Sequence, residues 1–143
     1  MLFRRLELTD LPAVAQLARG LAAHVKDPDP GLEVDDLLKA TLEPSPWCEC
    51  LVAVEDEAVV AFALYCRRYE AHTRQRTLWL GDLITAPDTR GRGVGHALIE
   101  ALRGRARELD CIGITLEVWR ENEAAIAFYD ALGARRCERS RSG

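Results

Sequence analysis

Between Asp88 and Glu100 the chain reads DTRGRGVGHALIE, with glycine at 91, 93 and 95 and arginine at 90 and 92. Glycine costs about 1 kcal/mol inside a helix. Three of them at the mouth of one mean either that the turn needs unusual dihedrals or that something must approach the main chain closely. The flanks decide what surrounds the turn. TLWLGDLIT, Thr77 to Thr85, has the β-rich composition of a strand. After the glycines, Val94, Ala97, Leu98, Ala101 and Leu102 fall at i, i+3, i+4, i+7 and i+8, one apolar helix stripe. Strand, glycine turn and helix together make an anion site, because unpaired N–H groups and the helix dipole both favour phosphate there.

Two dinucleotide motifs fail on this stretch. A G-x-G-x-x-G counted from Gly91 needs glycine where His96 stands, and a phosphate loop ending in Gly-Lys-Ser/Thr needs a lysine that is absent. What remains is R-x-x-G-x-G, Arg90 to Gly95.

The rest of the chain organises around this unit. Leu2 to Leu8 reads as a strand, and Thr9 or Asp10 precedes a helix marked by Leu11, Val14, Ala15, Ala18, Leu21 and Ala22. DPDPG, Asp27 to Gly31, breaks the chain, and VDDLLKATL predicts a short second helix. CLVAVED and AVVAFALYCRRY predict a β-hairpin around a short acidic turn. Downstream, CIGITLEVW predicts a strand and ENEAAIAFYDALG a helix, with Gly133 at its C-terminus. With 143 residues and no linker or repeat, residues 1–143 are expected to form one α/β domain.

Bulk properties narrow the partners. A formal net charge of −4 argues against a general nucleic-acid binder, and Arg103, Arg105 and Arg107 have acidic neighbours. No apolar run approaches membrane-spanning length, and MLFRRLELTD is charged too early for a secretory leader. Five scattered cysteines without a CxxC indicate neither a disulfide framework nor a metal site, so a reducing cytoplasm is expected.

RGRGVGHALIEAL resembles the acetyl-coenzyme-A signature of the GCN5-related N-acetyltransferases, the GNAT superfamily. NEAAIAFYDALGA, Asn122 to Ala134, resembles its second half, N-x-x-A-x-x-F-Y-x-x-L-G. Within the superfamily, LWLGDLITAPDTRGRGVG and VWRENEAAIAFYDALGA look most like the diamine and thialysine acetyltransferase branch. The resemblance implies the GNAT fold, a mixed α/β sheet of about six strands flanked by about four helices. It also implies acetyl-CoA as acetyl donor and no metal. The backbone of Leu83, Ile84 and Thr85 would then hold the pantetheine arm. Amides of Gly91, Arg92, Gly93, Val94, Gly95 and His96 would cradle the pyrophosphate, with charge from Arg90 and Arg92. Asn122 matches a cofactor-contacting asparagine, and an asparagine there is also an ordinary N-cap.

Attack on a thioester needs a neutral amine, although a free alkylamine has a pKa near about 10.4. The site must therefore bind the amine desolvated or supply a base, directly or through water, and the departing thiolate must gain a proton. The resemblance gives the second role to Tyr129. The base has two candidates, Asp82 and, through water, Glu117, each equally readable as a solvated or hydrogen-bonded carboxylate. The branch usually carries Glu-Asp where this chain has Gly81-Asp82. Asp35 and Asp36 read as a solvated helix face or as help for a cationic substrate.

The family's last strand has no counterpart in the closing CERSRSG, and an uncovered strand edge invites association, so a homodimer is expected. The expected activity is acetyl transfer to a primary amine of a small molecule in a ternary complex. The alternatives are a peptide or protein N-terminal or lysine acetyltransferase, and a non-catalytic acyl-CoA-binding module.

Overall fold

The computed structural model describes residues 1–24 and 33–136. The expected break at DPDPG, the residue Cys137 and the CERSRSG tail lie outside the described residues. Chain order is β1 (Leu2–Arg5), α1 (Leu11–His24), α2 (Val34–Thr41), β2 (Glu49–Glu55), β3 (Ala58–Glu70), β4 (Gln75–Thr85), α3 (Val94–Glu108), β5 (Ile114–Thr115) and α4 (Glu123–Ala131). Single 3-10 turns at Leu8–Asp10 and Pro87–Thr89 lead into α1 and towards α3.

The sheet follows sequence order, β1-β2-β3-β4-β5. Its first four strands are antiparallel and β5 runs parallel to β4. Alternation along the strands separates two cores. Leu51, Ala53, Ala61, Ala63, Tyr65, Leu78 and Leu80 face α3, which buries Val94, Leu98, Ile99, Leu102 and Ala106 against them. Cys50, Val52 and Phe62 face the other way, onto Leu11 and Val14 of α1 and Leu37 of α2. Both faces of β2 are therefore covered, which is why it reads as a continuous apolar run. Burying each of Leu98 and Leu102 contributes about 1.5–3 kcal/mol.

Asp10 does not serve as a free helix cap. Its carboxylate accepts two bonds from Arg4, at 2.6 and 3.1 Å, and one from the Glu7 amide at 2.7 Å, tying β1 to the start of α1. Glu49 takes Arg105 Nε and Nη2 at 2.9 and 3.1 Å and the Tyr65 hydroxyl at 2.9 Å, which joins β2, β3 and α3.

The sheet has five strands among the described residues and four helices flank it, in keeping with the mixed α/β arrangement expected with its last strand lacking. One sequence expectation changes. The segment CIGITLEVW supplies only Ile114 and Thr115 to it, because the chain leaves β4 after two residue pairs.

Candidate active site

The departure of β5 from β4 creates the site. Leu78 pairs with Ile114 and Trp79 with Thr115, and pairing then stops. Beyond that point β4 continues through Thr85 with, among the described residues, β3 on one edge only, through Leu64↔Asp82, Ala63↔Leu83, Phe62↔Ile84 and Ala61↔Thr85. Half of the backbone groups on such a strand point away from the paired side. The segment Asp82 to Thr85 thus offers main-chain donors and acceptors to anything entering the gap. Leu83 and Ile84 pack their side chains into opposite cores, so their backbone is what faces the gap.

The strand is also re-aimed here. Between Leu64↔Asp82 and Tyr65↔Leu80 the register shifts, which leaves Gly81 as the extra residue of a bulge. A Cβ at Gly81 would stand 3.6 Å from the Leu64 carbonyl oxygen, an ordinary contact. The residue that the branch pattern makes glutamate is therefore the bulge residue in this chain.

The glycine turn follows at the end of β4. Gly91 and Gly93 have φ of +81° and +77°, left-handed values that favour glycine. Gly93 precedes α3 with no side chain capping the helix. The amides of Val94, Gly95 and His96 form the uncapped first turn of a 15-residue helix whose dipole is positive there. Val94 is buried, so its side chain serves the core, while His96 is exposed. Gly95 has a different role from the other two. A Cβ on it would come within 3.3 Å of Phe128 Cζ, so it lets α4 pack closely on the head of α3.

The arginines divide as well. Arg90 is exposed, with its amide donating to the Pro87 carbonyl at 3.5 Å. Arg92 donates to Glu55 at 2.7 Å, a partner that no spacing in the sequence announces.

On the α3 side, Tyr129 is half-buried against the core, its ring 5.0 Å from Phe128 at 79°. Burial raises its hydroxyl pKa, which keeps it protonated near neutrality. It lines a cavity with Ile99, Arg103, Ile114, Leu116, Leu132 and Ala134. Asp82 belongs to the opposite face, since its register partner Leu64 packs into the α1–α2 core. The residue keeps an exposed edge, yet enclosure of its carboxyl by protein raises the pKa. Tyr129 and Asp82 thus stand on opposite faces of the sheet.

Other sequence candidates land elsewhere. Glu117 is exposed and lies beyond β5, not within a strand. Asn122 caps α4, its side-chain oxygen accepting the Ala125 amide at 3.1 Å. Asp35 pairs with Lys39 at 3.1 Å, and Asp36 accepts the Glu33 amide at 3.3 Å. Both are thus engaged at the helix they belong to.

The Acetyltransferase (GNAT) family model matches residues 14–134. A thialysine N-epsilon-acetyltransferase from Bos taurus is 28% identical over 143 residues, 94% of this chain and 84% of the relative. Among solved structures, a mutant protein from Bacillus halodurans superposes with a TM-score of 0.83 at 25% identity, covering 99% of this chain and 98% of that one. A ribosomal-protein-alanine N-acetyltransferase from Brucella melitensis biovar Abortus 2308 gives 0.77 at 25% identity, covering 96% and 94%.

Proposed function

Because this chain belongs to the GNAT family of acetyltransferases, we propose that it transfers the acetyl group of acetyl-CoA to a primary amine of a small molecule, by direct attack in a ternary complex. The observation that carries the reading is the opening between β4 and β5, which leads along an uncovered strand edge to an uncapped helix start. The residues present fit the cofactor. The first-turn amides of α3 and the left-handed turn at Gly91 and Gly93 receive phosphate oxygens. The edge from Leu83 to Thr85 receives the amide groups of the pantetheine arm. Acetyl-CoA supplies an acyl group activated as a thioester.

The chain's own residues do the rest. Asp82 accepts the proton of the incoming ammonium, and its raised pKa suits that task. Tyr129 donates its hydroxyl proton to the departing sulfur from the α3 face. Glu117 is a weaker choice for the base, being exposed and off the strand. Asn122 orients the start of α4 through its cap on the Ala125 amide. A small-molecule acceptor agrees with the activity named for the bovine relative.

The test is thermal unfolding with and without saturating acetyl-CoA, followed by a panel of diamines, amino acids and peptides. At about 100 times its Kd the cofactor adds about 2.7 kcal/mol of stability. Turnover on small amines supports the reading. Turnover confined to peptides moves the activity to protein termini or lysines. Binding without turnover leaves an acyl-CoA-binding module.

A further inference from the structure

Cys48 stands one residue before β2, and the pair Glu49↔Tyr65 at that end of the β2–β3 ladder puts it opposite Cys66. The hydrogen bonds show what kind of position this is. The Cys50 carbonyl accepts the Leu6 amide at 2.9 Å, so the main-chain groups of Cys50 turn away from β3. Two residues back, the Cys48 amide also turns away from β3 and donates to the Ala40 carbonyl at 3.1 Å. Cys48 and Cys66 therefore occupy a non-hydrogen-bonded position of an antiparallel pair, where facing Cα atoms come to about 4.5 Å. A disulfide spans Cα separations of about 4.4–6.8 Å. Both thiols are free and half-buried, and both line one cavity with Ser45 and Trp47. Alternation places Cys66 on the α1–α2 face with Leu64, the register partner of Asp82, so Cys66 is the diagonal neighbour of Asp82. Cys50 is 2% exposed, and Cys111 packs on the α3 face.

We propose that Cys48 and Cys66 form a reversible disulfide, made by exchange with a low-molecular-weight disulfide, that restrains the acceptor side of the site beside Asp82 and lowers amine turnover. The effect on turnover rests on the acetyl-transfer reading above; the bridge itself does not. First the Cys66 thiolate attacks one sulfur of the small disulfide, so that a mixed disulfide forms and a small thiolate leaves. The Cys48 thiolate then attacks the Cys66 sulfur and expels the second small thiolate. Two protein thiols are oxidised, one small disulfide is reduced to two thiols, and the two protons lost by the cysteines pass to them. The order follows from the surroundings. Burial pushes the Cys48 thiol up, with the charges of Cys66 and Asp82 adding to it, and its Sγ donates to the Ala40 carbonyl at 3.7 Å. Cys48 is thus the poorer first attacker. Bridging draws that sulfur off Ala40 and ties the segment between α2 and β2 to β3, two residues from the register shift that re-aims the strand at Asp82. In the reducing compartment expected for this chain, such a bond is transient and serves to switch rather than to staple.

The experiment incubates the chain with oxidised glutathione, cleaves it after glutamate and maps the peptides by mass. Cleavage at Glu43, Glu49, Glu55, Glu57 and Glu70 separates Cys48, Cys50 and Cys66. Expected is a linked Cys48–Cys66 peptide pair, with kcat/KM for an accepted amine lowered about tenfold or more, as a misplacement of about 1 Å suffices to do. The acetyl-CoA Kd stays near its reduced value, and dithiothreitol restores turnover. Cys48→Ser keeps the activity of the reduced chain and holds glutathione on Cys66 without a bridge. The wild-type map needs no substitution, so it decides the bridge even where that variant fails to fold. Glutathione adducts without the linked pair, a link between other cysteines, or a linked chain with undiminished turnover overturns the proposal and leaves acetyl transfer standing. No turnover of any amine by the reduced chain, with acetyl-CoA bound, overturns both.

Discussion

Arg92 Nη2 donates to Glu55 Oε2 at 2.7 Å, fastening the glycine turn to the last residue of β2. Arg92, the cation that the resemblance assigns to phosphate, is thus already held by a carboxylate of the chain, and on that assignment Glu55 would compete with the cofactor for it. Glu55→Gln should lower the Kd for acetyl-CoA a few-fold at low salt, and less at high salt where exposed charges are screened. Titration calorimetry at two ionic strengths checks this. An unchanged Kd at both would show that Arg92 does not reach the phosphates.

Gly95 and Phe128 form the contact between the heads of α3 and α4. Gly95→Ala improves helix propensity by up to about 1 kcal/mol but drives a Cβ to 3.3 Å from Phe128 Cζ. Overpacking of this kind costs about 1–3 kcal/mol, so the net effect should be destabilising. Combining it with Phe128→Leu should recover part of the loss, a coupling that urea denaturation of the two single variants and the double variant measures.

Tyr129→Phe removes a hydroxyl and little packing. It should lower kcat by about 10²–10⁴-fold while leaving the cofactor Kd near the wild-type value. Equal kcat in the two proteins would end the assignment of Tyr129 as the acid.

Desolvation by the surrounding protein holds the Asp82 carboxyl above its ordinary 3.8, and the proposed role as base needs its charged form. The profile of kcat/KM should therefore rise with pH through the raised pKa, and Asp82→Asn should erase that limb. Stability runs the other way. The fold favours the neutral carboxyl, so this contribution is complete below the ordinary pKa and is lost as pH rises through the raised one. Urea midpoints across the same pH range, for wild type and Asp82→Asn, separate the two effects.

Glu49 behaves oppositely. Burial alone would raise its pKa, but the hydrogen bonds from Arg105 and Tyr65 outweigh that and hold it below 4.5. Its contribution is present above the ordinary glutamate range and is lost as pH falls through the depressed value. Removing Arg105 from a carboxylate that is 21% exposed should cost about 2 kcal/mol, less than for a fully buried pair. Arg105→Met should therefore lower the urea midpoint at pH 7 and flatten the acid limb.

The helices and the long strands were legible because each carries a period. The stripe from Val94 to Leu102 needs only one covered face, and β2 and β3 show apolar runs bounded by turns. The segment after Cys111 has an equally strand-like composition, yet contributes two residues, since extension there depends on whether β4 keeps a partner. Gly81 inside a strand was a signal for a bulge that composition alone does not read. Glu55 had no signal at all, because its partner lies 37 positions away and is brought close only by the fold.

The sequence by itself determined the kinds of element, their order, the family and the position of the glycine turn, because these rest on local periodicity and on backbone needs within a few residues. Only the tertiary structure decided which glycine bends the chain and which admits Phe128, where β5 leaves β4, that Asp82 and Tyr129 stand on opposite faces of the sheet, and that Arg92 answers to Glu55. Those outcomes depend on register and packing between segments distant in sequence, and no local pattern encodes them.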